Sequence, residues 1–235
     1  MKMLVAAILL ASLSAAGAAN VDNDHNEKKA RWELPADVLG TSNQISFNQR
    51  AGGAWYFMEG TSLAHDPVTY QFLPQYFALC PAPVPLAGLA CWGEALDPAN
   101  PLGTYPQVAI NFYDHVVTDS GSGSHPAHSM TFHPRGSRLA IIAWRSPEDY
   151  TIDMTGDIRS LYPTLNCGDG VRWTIERGTT VLASGDTSLN TGSGFNIKKL
   201  DMAKGEAIYL IADPKTTDMC DSTLVSVAIS ARDNR

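Results

Sequence analysis

The aromatic side chains of this sequence are the residues best suited to bind a ligand. The apolar C–H face of a sugar ring stacks on indole and phenol rings, while polar groups nearby bind its hydroxyls. Arg145 and Asp169 are the predicted partners of such hydroxyls, and we assign Trp144 and Trp173 to the core. Four aromatic residues in the first half of the chain are predicted to contact a carbohydrate: Trp55, Tyr56, Tyr76 and Trp92.

Residues that indicate catalysis are sparse. The sequence contains no Gly-x-Ser-x-Gly elbow, no His-Glu-x-x-His zinc helix and no P-loop. Glycosidases use two carboxylates roughly 5 to 10 Å apart, and the spacing of Asp and Glu singles out no such pair. We therefore predict a binding protein without catalytic activity. A polysaccharide hydrolase or lyase that uses a carboxylate pair or His133 as acid/base is the alternative.

Histidines and aspartates supply two hypotheses for a metal. The imidazoles of His125, His128 and His133 suit Cu²⁺ or Zn²⁺, but the odd spacing of His128 and His133 places them on opposite faces of a regular strand. Asp221 opens the last predicted strand, so it is the favoured ligand of a structural Ca²⁺. Four aspartates at predicted strand ends offer oxygen ligands to that ion: Asp157, Asp169, Asp213 and Asp221.

The second half of the chain contains the strands that must position these side chains. Leu139–Trp144 is apolar on both faces, which predicts a central strand covered on both sides. Val171–Glu176 alternates, so that Thr174 and Glu176 are predicted to face solvent, and Leu224–Ile229 alternates in the same way. Short strands between Gly, Asp and Pro turns predict an all-β jelly-roll sandwich of roughly eleven or twelve strands.

The first half of the chain reads as strands interrupted by long irregular segments. A Pro- and aromatic-rich segment between Leu73 and Pro106 is predicted to be a loop that is functional or covers a core edge. A second loop, rich in Gly and Ser, is predicted over Thr118–Pro126. The predicted strands are Ile45–Asn48, Ala54–Glu59, Val68–Leu73 and Gln107–Phe112.

The N-terminal residues predict export. Residues 1–19 combine a positive start, an apolar stretch and small residues, as a secretory signal peptide does. Residues 20–31 are predicted to be a disordered leader, and residues 32–235 a single domain, in a secreted or periplasmic protein. The net charge of −7 makes nucleic acid a poor partner. No later segment is apolar over the length that membrane insertion needs, and oligomeric state is not predicted.

The four cysteines of an exported chain favour two disulfides over a metal site. Four cysteines allow three pairings. We favour Cys80–Cys91, which closes a Pro-rich loop, together with Cys167–Cys220, because Cys167 and Cys220 each lie just before a predicted strand.

Short motifs distributed along most of the chain carry a family resemblance. They are Trp55-Tyr56-Phe57 with Gly60, Trp92, His133-Pro134 with Gly136, Trp144-Arg145 with Pro147, Gly168-Asp169-Gly170-Val171 and Asp221-Ser222-Thr223. With these motifs the chain resembles the jelly-roll domains of uncharacterised exported proteins of Planctomycetes and Proteobacteria. It departs from them where Arg135 interrupts His-Pro-Gly and where Trp144-Arg145 reverses the usual order. The resemblance implies a sandwich similar to carbohydrate-binding modules, which is an analogy of fold. The predicted partner, a polysaccharide or other glycan, follows from the aromatic side chains.

A protein of the bacterial envelope or matrix that binds other proteins is a further alternative. Such a protein would expose a contiguous apolar patch of several hundred Å² without a groove. Aromatic side chains that line a concave cleft together with polar groups would favour a sugar instead.

Overall fold

The computed structural model of the chain describes residues 30–39, 54–81, 89–94, 105–119, 123–162, 168–188 and 192–233. The predicted signal peptide, the strand predicted over Ile45–Asn48 and Cys167 lie outside the described residues. Within the described ranges, no helix is long and apolar enough to span a membrane.

Strands make up nearly all of the regular structure. In chain order the elements are β1 (Arg31–Leu34), α1 (Ala36–Leu39), β2 (Trp55–Gly60), a 3₁₀ turn (Pro67–Thr69), β3 (Tyr70–Phe72), β4 (Gln75–Phe77), β5 (Leu89–Gly93), β6 (Gln107–Asn111), β7 (Val117–Thr118), β8 (Ser124–His125), β9 (Met130–His133), β10 (Leu139–Arg145), β11 (Tyr150–Ser160), β12 (Val171–Arg177), β13 (Thr180–Asp186), β14 (Gly192–Met202), β15 (Ala207–Pro214) and β16 (Thr223–Asp233).

These strands form two antiparallel sheets that pack face to face. The first sheet has the order β14-β11-β16-β9-β6-β5-β4, and β1 pairs with β16 beside this path. The second sheet has the order β13-β12-β15-β10-β2-β3, and β7 pairs with β8 in a separate ribbon. From β9 onward the chain passes from one sheet to the other at almost every connection, as jelly rolls do. The predicted all-β jelly-roll sandwich is confirmed.

The core lies between the two sheets. The first sheet contributes Trp92, Phe132 and Ile229, and the second contributes Trp144 and Trp173, each with at most 2% of its surface exposed. Trp144 and Trp173 thus occupy the core as predicted. The inward row of β16 is also confirmed, because three alternating residues belong to this core: Val225, Val227 and Ile229.

β10 is buried on both of its faces, which confirms the prediction for Leu139–Trp144. Its inward residues, Ile142 and Trp144 among them, belong to the main core. Leu139 and Ile141 point outward and form a second small core with Tyr70 and Ile211. The outer face of the second sheet is therefore covered at this end by the chain segment that includes Tyr70.

The segment between Leu73 and Pro106 is not a single loop. It contributes β4 and β5 to the first sheet, with all five residues of β5 buried. The prediction was wrong here because a short, fully buried strand has no polar alternation to mark it. Likewise, the segment predicted as a Gly/Ser-rich loop contains β7 and β8. The structure thus describes more strands than the eleven or twelve predicted.

The Cys80–Cys91 disulfide is confirmed, with the two Cα atoms 5.4 Å apart. Both cysteines are buried in a small cluster with Leu89, Ala109 and Val117. The alternate residues of β5, Ala90 and Trp92, belong to the main core, so this cluster lies on the outer face of the first sheet. Cys220 is also disulfide-bonded, while Cys167, its predicted partner, lies outside the described residues.

Gly156 provides a test of the packing between β11 and β14. It pairs with Phe195, and a Cβ atom at this position would lie 2.4 Å from the Phe195 ring and 2.2 Å from the Ser226 carbonyl oxygen. Gly156→Ala is therefore expected to displace Phe195 and to lower the unfolding free energy by about 1–3 kcal/mol. Urea denaturation of the variant measures this loss.

Gly194 is the matched control, because it lies beside Phe195 and a Cβ there would meet only the Gly156 carbonyl oxygen, at 3.6 Å. Gly194→Ala is expected to change stability by less than about 0.5 kcal/mol, as surface substitutions do. Equal losses in the two variants would contradict the packing argument.

Candidate ligand-binding face

A row of outward side chains crosses four neighbouring strands of the second sheet. Tyr56 in β2 pairs with Ala143 in β10, Ala143 pairs with Tyr209 in β15, and Tyr209 pairs with Glu176 in β12. Adjacent strands are about 4.8 Å apart, so the two tyrosine Cα atoms are separated by roughly 10 Å. Ala143 between them is only 2% exposed although it points outward. The side chains that flank Ala143 therefore close over it.

Arg145 lies at the end of β10 and completes this surface. Its guanidinium carbon is 5.3 Å from the centroid of the Tyr56 ring, within the range of a cation–π contact. Burial raises the pKa of Tyr209, and the positive charge of Arg145 partly counters that effect. Phe72 extends the surface on the other side, with its ring centroid 6.0 Å from that of Tyr56. We call the surface formed by Tyr56, Phe72, Ala143, Arg145 and Tyr209 the tyrosine face.

The tyrosine face is accessible to solvent. Tyr56, Phe72 and Tyr209 are half-buried, and Arg145 is exposed. Tyr209 is held in place by Tyr70, whose ring meets it edge to face at a centroid distance of 5.2 Å. Aromatic rings that are fixed by packing and still exposed on one side can stack on an apolar ligand surface without losing much side-chain entropy.

Polar side chains adjoin the face at its β12 end. His65 Nδ1 lies 2.5 Å from Glu176 Oε1, and the hydroxyl of Thr174 donates to the same oxygen at 2.7 Å. His65 Nε2 lies 3.9 Å from Asp213 Oδ2. Burial raises the pKa of Asp213 above its usual value, and the charges of His65 and Arg172 counter this effect only in part.

The burial of Glu176 corrects a sequence prediction. Glu176 and Thr174 do point outward from β12, but they are only 2% and 8% exposed, because the segment that carries His65 lies over them. Sequence alternation indicates the face of the sheet, and it gives no sign of what another segment places on that face.

The structure places two of the six predicted ligand-binding residues on the tyrosine face. Tyr56 and Arg145 are in contact on the tyrosine face. Tyr76 is half-buried and packs against Trp92, at a centroid distance of 5.2 Å. Asp169 lies outside the tyrosine face, in the turn before β12, where it accepts hydrogen bonds from Thr216.

Trp55 and Trp92 lie in the core, which corrects their predicted place on a binding surface. Trp55 is 7% exposed, and its indole N–H donates to Asp37 Oδ2 at 2.9 Å. Trp92 is 2% exposed and packs against Phe57, with the ring centroids 4.2 Å apart. Neither indole presents a ring face to a ligand in this structure. Both sit on strands whose inner face needs large apolar side chains.

Tyr209 is the ligand-face residue that sequence reasoning missed. In β15 it alternates with the buried residues Ile208 and Leu210, so a period of two already places it on the outer face. The signal was present, but only the pairing of β15 with β10 shows that Tyr209 lies level with Tyr56.

Two carboxylates that meet near the core, those of Glu59 and Glu94, do not form a glycosidase pair. Glu59 and Glu94 both bind the Nη2 atom of Arg138. Burial, together with a hydrogen bond to Glu94, raises the pKa of Glu59 to about 7. Two carboxyl groups in hydrogen-bond contact are closer than the roughly 5 to 10 Å that glycosidases use.

The three histidines of the metal hypothesis have separate environments. His125 is buried with Nε2 3.3 Å from Asp119 Oδ2, an oxygen that also accepts a hydrogen bond from Tyr162. His128 is exposed, with a φ of 55°. His133 is buried and places Nδ1 2.6 Å from the Pro134 carbonyl oxygen. Within the part of the chain that the structure describes, no three His, Cys, Asp or Glu side chains are arranged to hold a metal ion.

The four aspartates predicted near strand ends are distributed over three places. Asp157 is on β11, where its Oδ2 atom lies 3.7 Å from Arg159 Nε. Asp213 lies near His65. Asp169 and Asp221 lie close enough that the charge of Asp169 raises the pKa of Asp221. Only these last two of the four are brought together.

Comparison with known proteins gives remote likenesses. No family model matches the chain, and no curated protein matches it. Among solved structures, it is similar to a Clostridium perfringens ZmpB fragment containing CBM51-2, in complex with GlcNAc, and INT domains (13% identity, 50% of this chain, 25% of that chain, TM-score 0.33). It is also similar to the C-terminal CBM6 of LamC from Zobellia galactanivorans (12% identity, 49% of this chain, 86% of that chain, TM-score 0.26). A third is the CBM36-1 domain of a xylanase from the hindgut metagenome of Trinervitermes trinervoides (11% identity, 52% of this chain, 88% of that chain, TM-score 0.32).

The chain thus spans a quarter of the length of the ZmpB fragment. With TM-scores of this size, the ligand of the chain has to be argued from its own side chains.

His133 gives a prediction about pH. Burial lowers its pKa to about 4 from 6.5. A histidine whose folded-state pKa is depressed contributes stability that is present above the unfolded pKa and is lost as pH falls toward the folded value. The difference of about 2.5 between the unfolded and folded pKa values corresponds to about 3 kcal/mol of unfolding free energy. Between pH 6.5 and 4, the wild type should therefore lose about 3 kcal/mol more unfolding free energy than His133→Asn in urea titrations.

His128→Asn is the control for this experiment, because His128 is exposed and asparagine tolerates a positive φ. It should keep the pH dependence of the wild type. If the curves of wild type and His133→Asn run parallel through this range, His133 is not the group that titrates.

Proposed function

We propose that this chain is a glycan-binding β-sandwich without catalytic activity and that the tyrosine face is its ligand-binding surface. The observation that carries this proposal is the row of Tyr56, Ala143 and Tyr209 with Arg145 over the Tyr56 ring. Half-exposed phenol rings next to guanidinium and hydroxyl donors supply both kinds of contact that a sugar needs.

The spacing of the two tyrosines favours an extended glycan over a single monosaccharide. The two tyrosines lie on either side of the covered Ala143, and their Cα atoms are two strand spacings, or roughly 10 Å, apart. Arg145 is exposed at the end of β10, beside this row, and offers several N–H donors to hydroxyl oxygens. A chain of sugars lying across β2, β10 and β15 would contact all three side chains.

The described geometry favours binding over hydrolysis. Glu59 and Glu94 are bound to a common Arg138 nitrogen, and His133 is buried with its ring packed at a tilt against Tyr105, at a centroid distance of 4.2 Å. Neither group stands beside the tyrosine face, and the carboxylate that adjoins the face, Glu176, is 2% exposed and bound to His65 and Thr174. The exposed apolar residues come from several separate segments of the chain, among them Leu63, Leu79, Val116, Val181 and Met219.

We further infer that the protein is exported. Residues 1–19 have the composition of a signal peptide, and the Cys80–Cys91 disulfide suits an oxidising compartment. N-terminal sequencing of the protein purified from its native host would show whether the segment is removed. A mature chain that still begins at Met1 would contradict cleavage.

Alanine substitutions on the tyrosine face test the binding function. A panel of soluble β-glucans, xylans, mannans and galactans, followed by affinity electrophoresis, identifies a ligand for the wild type. Tyr56→Ala and Tyr209→Ala should each weaken its binding about fivefold, because stacking on one aromatic ring is worth on the order of 1 kcal/mol. Tyr113→Ala is the matched control, since Tyr113 is 37% exposed and stacks on His115 away from this face.

The outcomes separate the function from the site. If no polysaccharide in the panel is retained by the folded protein, the glycan-binding function is wrong. If a polysaccharide is retained equally by the wild type and by both tyrosine variants, the function stands and the tyrosine face is the wrong surface. Circular dichroism of each variant confirms that the sandwich is intact.

A further inference from the structure

Arg145 carries a positive charge that no carboxylate among the described residues neutralises at close range. Its guanidinium lies over the Tyr56 ring, 5.3 Å from the ring centroid, and its side chain is exposed. A cation–π contact holds a guanidinium in place without neutralising its charge. Most arginines in the described ranges instead form an ion pair with a carboxylate: Arg31, Arg135, Arg138, Arg159, Arg177 and Arg232.

The strand neighbours of Arg145 explain the difference. Arg145 pairs with Ala207 of β15 on one side, and its backbone N–H donates to the Ala54 carbonyl oxygen on the other. Alanine brings no charge to the outer face of the sheet. Arg172, which points outward from β12, lies instead between Asp186 and Asp213 on its two neighbouring strands. The register of the second sheet thus places carboxylates on both sides of Arg172 and alanines on both sides of Arg145.

Two carboxylates that lie close to the end of β10 are bound to other cations. Glu206 directly precedes Ala207, and its two carboxylate oxygens accept hydrogen bonds from Arg177 at 2.5 and 2.9 Å. Glu148 follows shortly after β10, and its two oxygens accept hydrogen bonds from Lys204 Nζ at 2.9 and 3.0 Å. The positive charge of Arg145 is therefore left for a ligand.

The charged groups give the tyrosine face a direction. Arg145 marks one end, and Glu176 lies beside Tyr209 at the other, with His65 between Glu176 and Asp213. An anionic group of a ligand is attracted to the Arg145 end and repelled by the carboxylates at the β12 end. The arrangement therefore favours one orientation of a ligand that carries negative charge.

We propose that the glycan bound by the tyrosine face is a polyuronide, and that Arg145 binds the carboxylate of one uronate ring. This ligand class rests on the glycan-binding function proposed above. The planar guanidinium matches a carboxylate with two parallel N–H···O bonds, which a hydroxyl group does not allow. The apolar face of a sugar ring meets the aromatic rings of Tyr56 and Tyr209 as before. Arg145 thus determines the preference for an acidic sugar over its neutral analogue.

Pairs of oligosaccharides that differ only in charge test this preference. Short oligomers of polygalacturonate and polymannuronate are compared with the same oligomers after reduction of their carboxyl groups to primary alcohols. Isothermal titration calorimetry at about 0.15 M salt screens charges that lie more than about 8 Å away, so the net charge of −7 has little influence. The wild type should bind at least one uronate oligomer about tenfold more tightly than its reduced form.

Variants of Arg145 assign the preference to this side chain. Arg145→Gln should bind the uronate oligomer and its reduced form equally, because the reduced form makes no ion pair. Arg145→Lys keeps the charge without the planar donors and should show an intermediate preference. Tyr209→Ala should weaken the binding of both oligomers by the same factor, so that the preference is unchanged.

Arg159→Gln is the matched control for the loss of charge. Arg159 is an exposed arginine on β11 of the other sheet, where it is paired with Asp157. Its substitution should leave the tenfold preference for the uronate oligomer intact.

Other results would overturn the ligand class or the role of Arg145. Equal affinity of the wild type for both members of every pair would show that the charge is not recognised, while the glycan-binding function would stand. A preference retained by Arg145→Gln would place the acidic subsite elsewhere. Tighter binding of a sulfated oligosaccharide than of every uronate would replace the carboxylate with a sulfate. If neither the oligomer pairs nor the polysaccharide panel bind, the proposed function itself is contradicted.

Discussion

The burial of β10 on both faces is the constraint on which the second sheet depends. Its inner residues complete the core, and its outer residues Leu139 and Ile141 also have to be removed from water. Tyr70 and its neighbours cover the outer face at one end of the strand. At the other end Ala143 is so small that the adjoining side chains, with Tyr56 and Tyr209 on either side, suffice to cover it. The tyrosine face is thus the place where the covering segment ends and the sheet becomes accessible.

The same covering segment explains the charged groups at the β12 end of the face. His65 brings an imidazole over Glu176, so that a carboxylate on the outer face of a sheet becomes 2% exposed and hydrogen-bonded. A buried carboxylate with such partners is ordinary in proteins. Asp221 differs because neither of its side-chain oxygens has a hydrogen-bond partner among the residues that the structure describes.

Sequence reasoning succeeded where a pattern depends on neighbouring residues along one strand. The two-faced strand Leu139–Trp144, the inward row of β16 and the Cys80–Cys91 bridge were predicted correctly. It failed for Trp55 and Trp92, which are large enough to serve either a core or a binding surface. It also failed for β5, because a strand buried on both sides carries no alternation.

The sequence by itself determined the all-β sandwich and the side of each alternating strand on which its apolar residues lie, because both follow from the period of two along the backbone. Only the tertiary structure decided which strands are neighbours. The pairing of β10 with β2 and β15 places Tyr56 level with Tyr209, although they are far apart along the chain. The packing of the turn before β12 against the start of β16 does the same for Asp169 and Asp221. Contacts of this kind depend on register between distant strands, which local sequence does not encode.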